Sequence, residues 1–353
     1  MLFAKGADLE NVEDSLGLPS MAWLYGQISN KWEGTLFLIY NGILNKPDKC
    51  PSCGAGIGYK KCPFTQEALY KKGNATKGAS AFKTCFTYRC KNRKCSLQQS
   101  IYAGTFFANC KKPANEVIMC YYLWLKGTPI KSVQLLLTWS EACVIDYFHK
   151  FRVCVSQDIV NYIENEADTE DFLFESVQIG GPGIEVQIDE SAFGKNKYGR
   201  GHYVDTKWVF GGVEIVPDAY MRKKGGPFFA VVVPNRKKEC LDEYIKKFIR
   251  PGSIIWSDSF ATYKKLSDRL PQYEHEMVNH KKEYKSSTGV CTNTVEGKWN
   301  KLKKAIPKQG YRSPKVLQEY LGEQMWRNTH KGLLWEKGID ALTNYVDQTT
   351  GSE

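Results

Sequence analysis

No apolar stretch near the N-terminus of this 353-residue chain is long enough to cross a bilayer: the run from Thr35 to Leu44 falls short of the roughly 20 residues a spanning helix needs. Residues 1–30 lack the basic-then-apolar pattern, ending in small residues, that marks a secretory leader. A soluble, intracellular protein is therefore expected. Internal repeats and extended low-complexity tracts are missing too. Acid is scarce where base is dense. Residues 60–112 hold Lys60, Lys61, Lys71, Lys72, Lys77, Lys83, Arg89, Lys91, Arg93, Lys94, Lys111 and Lys112 against Glu67 alone. Residues 161–190 are the reverse, with nine acids and no Lys or Arg. With a net charge of +11, this asymmetry points to a polyanionic partner, DNA or RNA, for the basic part. A solvated basic surface is the plain alternative.

What is present describes a packed protein. Hydrophobic residues make up 42% and aromatics 13% of the chain, too many for a disordered one. The length implies two or three units. Twelve cysteines in an intracellular setting do not read as a disulfide framework. Cys120, Cys143, Cys154 and Cys240 lie singly in apolar context and suit small core positions. Six others fall between 50 and 95. Cys50-Pro-Ser-Cys53 and Cys90-Lys-Asn-Arg-Lys-Cys95 form two pairs able to share one tetrahedral Zn²⁺, as in a zinc ribbon. The gap in the second pair is wide and the pairs are far apart, so Cys62 and Cys85 compete as ligands. Arg89, Lys91, Arg93 and Lys94 put base beside the second pair, as candidate DNA contacts.

An amphipathic helix is expected around 19–31. Residues 113–165 read as helical: Pro113 opens a first helix that Gly127 closes, Ile130 to Leu137 form a short second one, and Ser140 caps a third. This order fits a helix-turn-helix and equally a plain helical bundle. From Gly180 the pattern changes to strands at 184–190, 206–215 and 227–233, a helix over 239–249, a strand over 254–258, and a helix from Phe260 to about Leu270. That is the order of an RNase H-like fold.

Three acids fall at element ends in this part. Ile184-Glu-Val-Gln-Ile-Asp-Glu190 alternates apolar and polar residues and delivers Asp189, with Glu190 beside it as the competing candidate. Ser253-Ile-Ile-Trp-Ser257 ends in Asp258, which also suits a helix N-cap. Glu296 opens a helix, although Asn293-Thr-Val-Glu296 also fits a capping box. Such acids suit Mg²⁺ or Mn²⁺, which take oxygen ligands, and a pair of such ions serves phosphoryl transfer. Lys298, Lys301, Lys303 and Lys304 follow Glu296 and suit DNA phosphates. Trp299 suits a core position better than a stacking surface, and His280 suits either a phosphate contact or a structural role.

Together, Ile188-Asp-Glu-Ser-Ala-Phe-Gly-Lys195, Trp208-Val-Phe-Gly-Gly-Val-Glu214, Val231-Val-Val-Pro234, Ser257-Asp-Ser-Phe-Ala-Thr-Tyr263, Val278-Asn-His280 and Thr292-Asn-Thr-Val-Glu-Gly-Lys-Trp299 resemble a DDE transposase of the Merlin type and its bacterial insertion-sequence relatives. The cysteine pairs resemble that family's N-terminal zinc ribbon. The resemblance implies a multidomain α+β protein with an RNase H-like α/β core and Asp189, Asp258 and Glu296 as catalytic metal ligands. It also implies two catalytic Mg²⁺ or Mn²⁺ ions, a structural Zn²⁺, double-stranded DNA of transposon ends and target as partner, and cut-and-paste strand transfer by a homodimer or larger assembly. A domesticated, non-cleaving DNA-binding regulator is the alternative. Nuclear residence is expected if the host is eukaryotic. The implied organisation is an N-terminal region (1–45), a basic zinc ribbon (46–112), a helical DNA-binding region (113–165), an acidic linker (166–183), the catalytic domain (184–335) and a tail (336–353). The departures are an enlarged region between the cysteine pairs and a more basic stretch after His280.

Overall fold

The computed structural model describes residues 13–45, 47–59, 87–108, 110–164, 178–194, 206–217, 223–278 and 292–345. They divide into two compact units: one of residues 1–154 with 331–353, the other of residues 155–330. Residues 165–177, in the acidic stretch, lie outside the described residues.

In the first unit, Ser20 caps α1 (Met21–Gln27) by accepting from Trp23 N, and Asn30 caps α2 (Lys31–Tyr40) by accepting from Trp32 N and Glu33 N. The helix expected over 19–31 is present as the shorter α1, and a second helix, α2, takes up part of the apolar run from Thr35 to Leu44. Asn30 starts a new helix because its side chain satisfies orphan amides that continuation would have bonded in line. A small antiparallel sheet follows: β1 (Ile57–Tyr59), β2 (Thr87–Cys90) and β3 (Gln98–Ser100), in that order. Next come α3 (Ala114–Leu125), α4 (Ile130–Leu137) and α5 (Glu141–Glu164), much as the sequence indicated. Gly127 (φ +75°) closes α3 and Thr138 (φ 54°) turns the chain between α4 and α5; both conformations are left-handed. Helix α3 is apolar nearly all round and is buried. Its Tyr121 ring lies 4.8 Å from Phe151, and its Tyr121 hydroxyl donates to Gly338 O at 3.0 Å. Gly338 belongs to a helix (Leu334–Thr343) that crosses the boundary read at 335/336 between catalytic domain and tail.

The second unit is built on five strands: β4 (Glu185–Phe193), β5 (Lys207–Pro217), β6 (Lys223–Val233), β7 (Ile254–Asp258) and β8 (Glu274–Val278), in the order β6-β5-β4-β7-β8. The first three are antiparallel, while β7 runs parallel to β4 and β8 parallel to β7. This is the strand order expected of an RNase H-like sheet. Strand β8 was not expected: polar Glu274, His275 and Glu276 hide it, and an edge strand needs only one neighbour. The helix expected from Phe260 to Leu270 is instead a 3₁₀ turn (Ala261–Tyr263) and a short α7 (Leu266–Arg269), broken at Lys265, whose φ is 55°.

Each face of the sheet has its helices. A side chain added at Gly211 would strike Trp299, and one added at Gly212 would strike Phe229. Neighbouring strand residues point oppositely, so these two aromatics mark opposite faces. Phe229 stacks 4.8 Å from Phe248 of α6 (Lys238–Phe248). Trp299 belongs to α8 (Asn293–Ala305). A last helix, α9 (Pro314–Thr329), packs on β6 and is capped by Ser313.

Beyond β7 the chain is fastened to α6 by Arg269. Its Nε donates to Asp242 Oδ2 at 2.7 Å and one terminal nitrogen donates to Oδ1 at 2.9 Å, while Lys264 O and Thr262 O accept from it as well. Asp242 is 8% exposed. Arg269→Ala therefore strands a nearly buried carboxylate, and a loss of about 2–3 kcal/mol is expected. Urea denaturation of the full chain checks it; a change under about 0.5 kcal/mol, the scale of ordinary surface substitutions, would show the pair to be ornamental.

Candidate active site and cysteine cluster

Gln187, Asp189, Ser191 and Phe193 share one face of β4 by strand alternation. The register sets Asp189 opposite Gly211 on β5. A Cβ at Gly211 would stand 2.5 Å from Trp299 Cη2, so only glycine leaves room for the indole. Trp299, 5% exposed, fills that room and donates from Nε1 to Asp189 Oδ2 at 3.0 Å. It is thus a core aromatic that also touches the first candidate acid. The other oxygen of Asp189 accepts from Glu190 N at 2.8 Å.

Gln187 ties the same helix to the same strand. Its Oε1 accepts from Thr294 N and Val295 N at 3.0 and 3.1 Å, although the partners are more than a hundred residues apart in sequence. The capping box read at Asn293–Glu296 is therefore corrected: the helix N-terminus takes its acceptor from a buried glutamine on β4. Glu296 is exposed, and its Oε1 accepts from Thr292 Oγ1 at 3.3 Å.

Asp258 ends β7. The parallel pairing sets Gln187 opposite Trp256. Two residues further along each strand stand Asp189 and Asp258, on the same face. Asp258 does not cap an α-helix; its Oδ1 accepts from Phe260 N at 2.9 Å in a tight turn. Glu190 points to the opposite face, where the Tyr263 hydroxyl donates to its Oε1.

The electrostatics join the three acids. Burial raises Asp189 to about 6; hydrogen bonds from the Glu190 amide and Trp299 lower it, and the charges of Asp258 and Glu296 raise it again. Burial likewise raises Glu190 to about 7. Among the described residues, no lysine or arginine forms an ion pair with Asp189 or Asp258. The acids are not collapsed on one point: the ligand atoms that all lie within 4.8 Å of one another are those of the cysteines. Two ions about 3.5–4 Å apart, each with oxygens at about 2.0–2.1 Å, need carboxylates spread more widely than one cage.

The lysines of α8 differ in exposure. Lys301, Lys303 and Lys304 are exposed, and Lys298 is half-buried. Lys298 lies over the Phe228 ring, 3.9 Å from its centroid, and burial lowers it to about 8. Lys303 lies 5.3 Å from the Phe193 ring centroid; burial lowers its pKa, and the charge of Asp189 opposes that shift. His280 lies outside the described residues, as do Lys281, Lys282 and Lys285.

In the first unit, Cys50, Cys53, Cys90 and Cys95 converge. Cys50 Sγ stands 3.8 Å from Cys95 Sγ, and Cys53 Sγ stands 3.5 Å from Cys90 Sγ. Those spacings suit the edges of a tetrahedron with metal–sulfur bonds of about 2.3 Å. Asn92 closes the wide second pair. Its backbone N–H donates to Cys90 Sγ at 3.4 Å, its side-chain amide to Cys53 Sγ at 3.9 Å, and its carbonyl accepts from Cys95 N and Ser96 N. The Leu97 amide lowers Cys95 to about 7, while burial raises Cys90 to about 12. Arg89, Lys91, Arg93 and Lys94 are all exposed around the cluster. Cys62 and Cys85 lie outside the described residues.

Sequence reasoning missed Gln187 and the Trp299–Asp189 contact. The available signal was Gln187 itself, a polar residue two positions before Asp189 on the same face of a buried strand. Gln187→Met keeps the volume and removes the acceptor, and is expected to cost about 1–2 kcal/mol. Thermal denaturation reads the loss, and faster hydrogen exchange at the Thr294 and Val295 amides locates it.

Residues 178–329, containing all three acids, match the family described as ISXO2-like transposase domain. A protein of Haemophilus influenzae described as an uncharacterized transposase-like protein is 27% identical over 99 residues, spanning 28% of this chain and 78% of its own. Residues 178–329 are thus a transposase domain of the insertion-sequence-like DDE type.

Proposed function

We propose that this protein cuts DNA at the terminal inverted repeats of a mobile element and joins the freed ends to target DNA. One observation carries the reading: Asp189, within β4, and Asp258, at the end of β7, lie on one face of neighbouring parallel strands, and the helix bearing Glu296 is anchored to the Asp189 strand through Gln187 and Trp299. Carboxylates so arranged, without basic partners at the two aspartates among the described residues, suit Mg²⁺ or Mn²⁺. Asp189 would serve both ions, with Asp258 and Glu296 completing one shell each. Such a pair activates the attacking oxygen and stabilises the leaving one.

The remaining roles belong to the chain. Trp299 and the Glu190 amide fix the direction of the Asp189 oxygens. Exposed Lys301 and Lys304, with Lys303 nearer Asp189, neutralise backbone phosphates near the scissile bond. In cleavage, water attacks the phosphorus and the bond to the 3′ oxygen breaks, leaving a 3′-hydroxyl. That hydroxyl then attacks a target phosphodiester, whose own 3′ oxygen leaves. The cysteines would hold Zn²⁺ as a zinc ribbon, presenting Arg89, Lys91, Arg93 and Lys94 to the duplex. Helices α3 to α5 would act as a helix-turn-helix on the same DNA. Two ends must be held together for joining, which calls for a dimer or larger assembly.

The test uses purified full-length protein and a duplex carrying a matched element end. Cleavage and joining are expected with Mg²⁺ or Mn²⁺, and Asp258→Asn should abolish both while leaving DNA binding intact. Binding without cleavage in the unaltered chain would favour a domesticated regulator; cutting of RNA–DNA hybrids without joining would favour a nuclease. Removal of zinc by a chelator offers a separate check. With about 10–16 kcal/mol of binding free energy at stake in such sites, chelation should unfold the ribbon and weaken end binding, while Mn²⁺ binding at the carboxylates persists.

A further inference from the structure

The ladder between β4 and β7 joins Glu185 to Ile254, Val186 to Ile255 and Gln187 to Trp256, and stops there. Asp189 and Asp258 lie two residues beyond it, so main-chain pairing of the two strands does not set their separation. A side-chain bridge spans the same gap on the other face. Tyr263, 1% exposed and five residues past Asp258, donates its hydroxyl to Glu190, the neighbour of Asp189.

The segment between Asp258 and Tyr263 is held at Asp258, Phe260 and Thr262. Phe260 N donates to Asp258 Oδ1, and the Phe260 ring lies 5.1 Å from the Arg236 guanidinium, which stacks 3.7 Å from the Trp208 ring centroid on its own account. Thr262 Oγ1 donates to Arg236 O at 3.1 Å, and Thr262 O and Lys264 O accept from Arg269. Position is therefore transmitted from the Tyr263 hydroxyl back to Asp258 through a stiff turn, and forward to Asp189 through one peptide unit.

We infer that Tyr263 and Glu190 are a positioning pair: their hydrogen bond sets the distance between Asp189 and Asp258, and with it the affinity of that site for divalent cations. The inference rests on the reading of those acids as metal ligands. Neither residue of the pair touches the reacting atoms. A buried tyrosine that merely satisfied its hydroxyl would affect stability alone. A positioning tyrosine affects what the two acids bind.

The experiment compares the full chain with Tyr263→Phe and Glu190→Gln. Mn²⁺ binding is measured by electron paramagnetic resonance, with Asp258→Asn as the reference for the site. End cleavage is followed against Mn²⁺ concentration. Tyr263→Phe is expected to weaken Mn²⁺ binding and raise the Mn²⁺ midpoint for cleavage by about tenfold, the low end of what outer-sphere changes cost, with KM for DNA unchanged. Glu190→Gln keeps an oxygen for the tyrosine and is expected to retain most of the native affinity. If Tyr263→Phe does not fold, Glu190→Ala breaks the same bond from the half-buried side and must show the same shift. Lowered thermal stability with unaltered Mn²⁺ binding would overturn the inference. If the unaltered chain binds Mn²⁺ but cuts nothing, the transposase reading falls and the pair is still judged by the binding shift. If it binds none at Asp258, both fall.

Discussion

The candidate site depends on one strand face that carries polar groups into a buried layer. Gln187 and Asp189 occupy positions on β4 where an ordinary sheet would place two apolar side chains. An unpartnered amide or carboxylate there would cost about 1–3 kcal/mol or more. Both find their partners on one helix: Gln187 accepts from the first-turn amides of α8, and Asp189 accepts from its Trp299 indole. Satisfying those groups fixes the helix in rotation and in height. Glu296, between the two anchor points in sequence, inherits that placement. Gly211 belongs to the same constraint, because a side chain opposite Asp189 would displace the indole.

The acids themselves work against folding. Asp189 is raised by burial and further by the charges of Asp258 and Glu296. A chain selected for stability alone would replace one of them or supply a cation in contact. Here the nearby lysine, Lys303, lies against the Phe193 ring and exerts only a distant influence. A buried carboxylate with other acids near it is the kind of perturbed group that concentrates at functional sites, and the residues around it match a transposase domain over 178–329.

Much of this was legible because its signals are local. Period-2 alternation located β4, and Asp258 does end its strand, but β4 continues past Asp189 to Phe193 instead of ending beside it. The cysteine pairs were legible despite their odd spacing. What failed was non-local. The first helix ends short of Lys31 because Asn30 caps a new helix instead of continuing the old one. The segment after Phe260 reads as helix by composition, but Phe260 N serves Asp258, Thr262 O serves Arg269 and the Tyr263 hydroxyl serves Glu190, so the chain forms a 3₁₀ turn instead. Strand β8 carries an edge-strand composition that propensity reads as loop. The apparent capping box shows the limit best: the residues have the right spacing, but the helix amides are taken by a glutamine that no sequence window contains together with them.

The two ligand clusters differ in kind, and the difference keeps them from competing. Four sulfurs at tetrahedral spacing select a soft or borderline ion and hold Mg²⁺ poorly, whereas separated carboxylates suit hard cations that keep open positions for phosphate. Asn92 adds N–H donors to Cys90 and Cys53, spreading negative charge that four thiolates would otherwise concentrate. On the proposed reading the carboxylate site would have the opposite need, since charge concentrated there would draw in a second divalent ion. Closed coordination would then suit the cysteines to a structural part, and open coordination would suit the acids to chemistry on a phosphodiester. The same chain would hold both ions at once because its ligand chemistry, rather than its affinity alone, would assign each ion to a place.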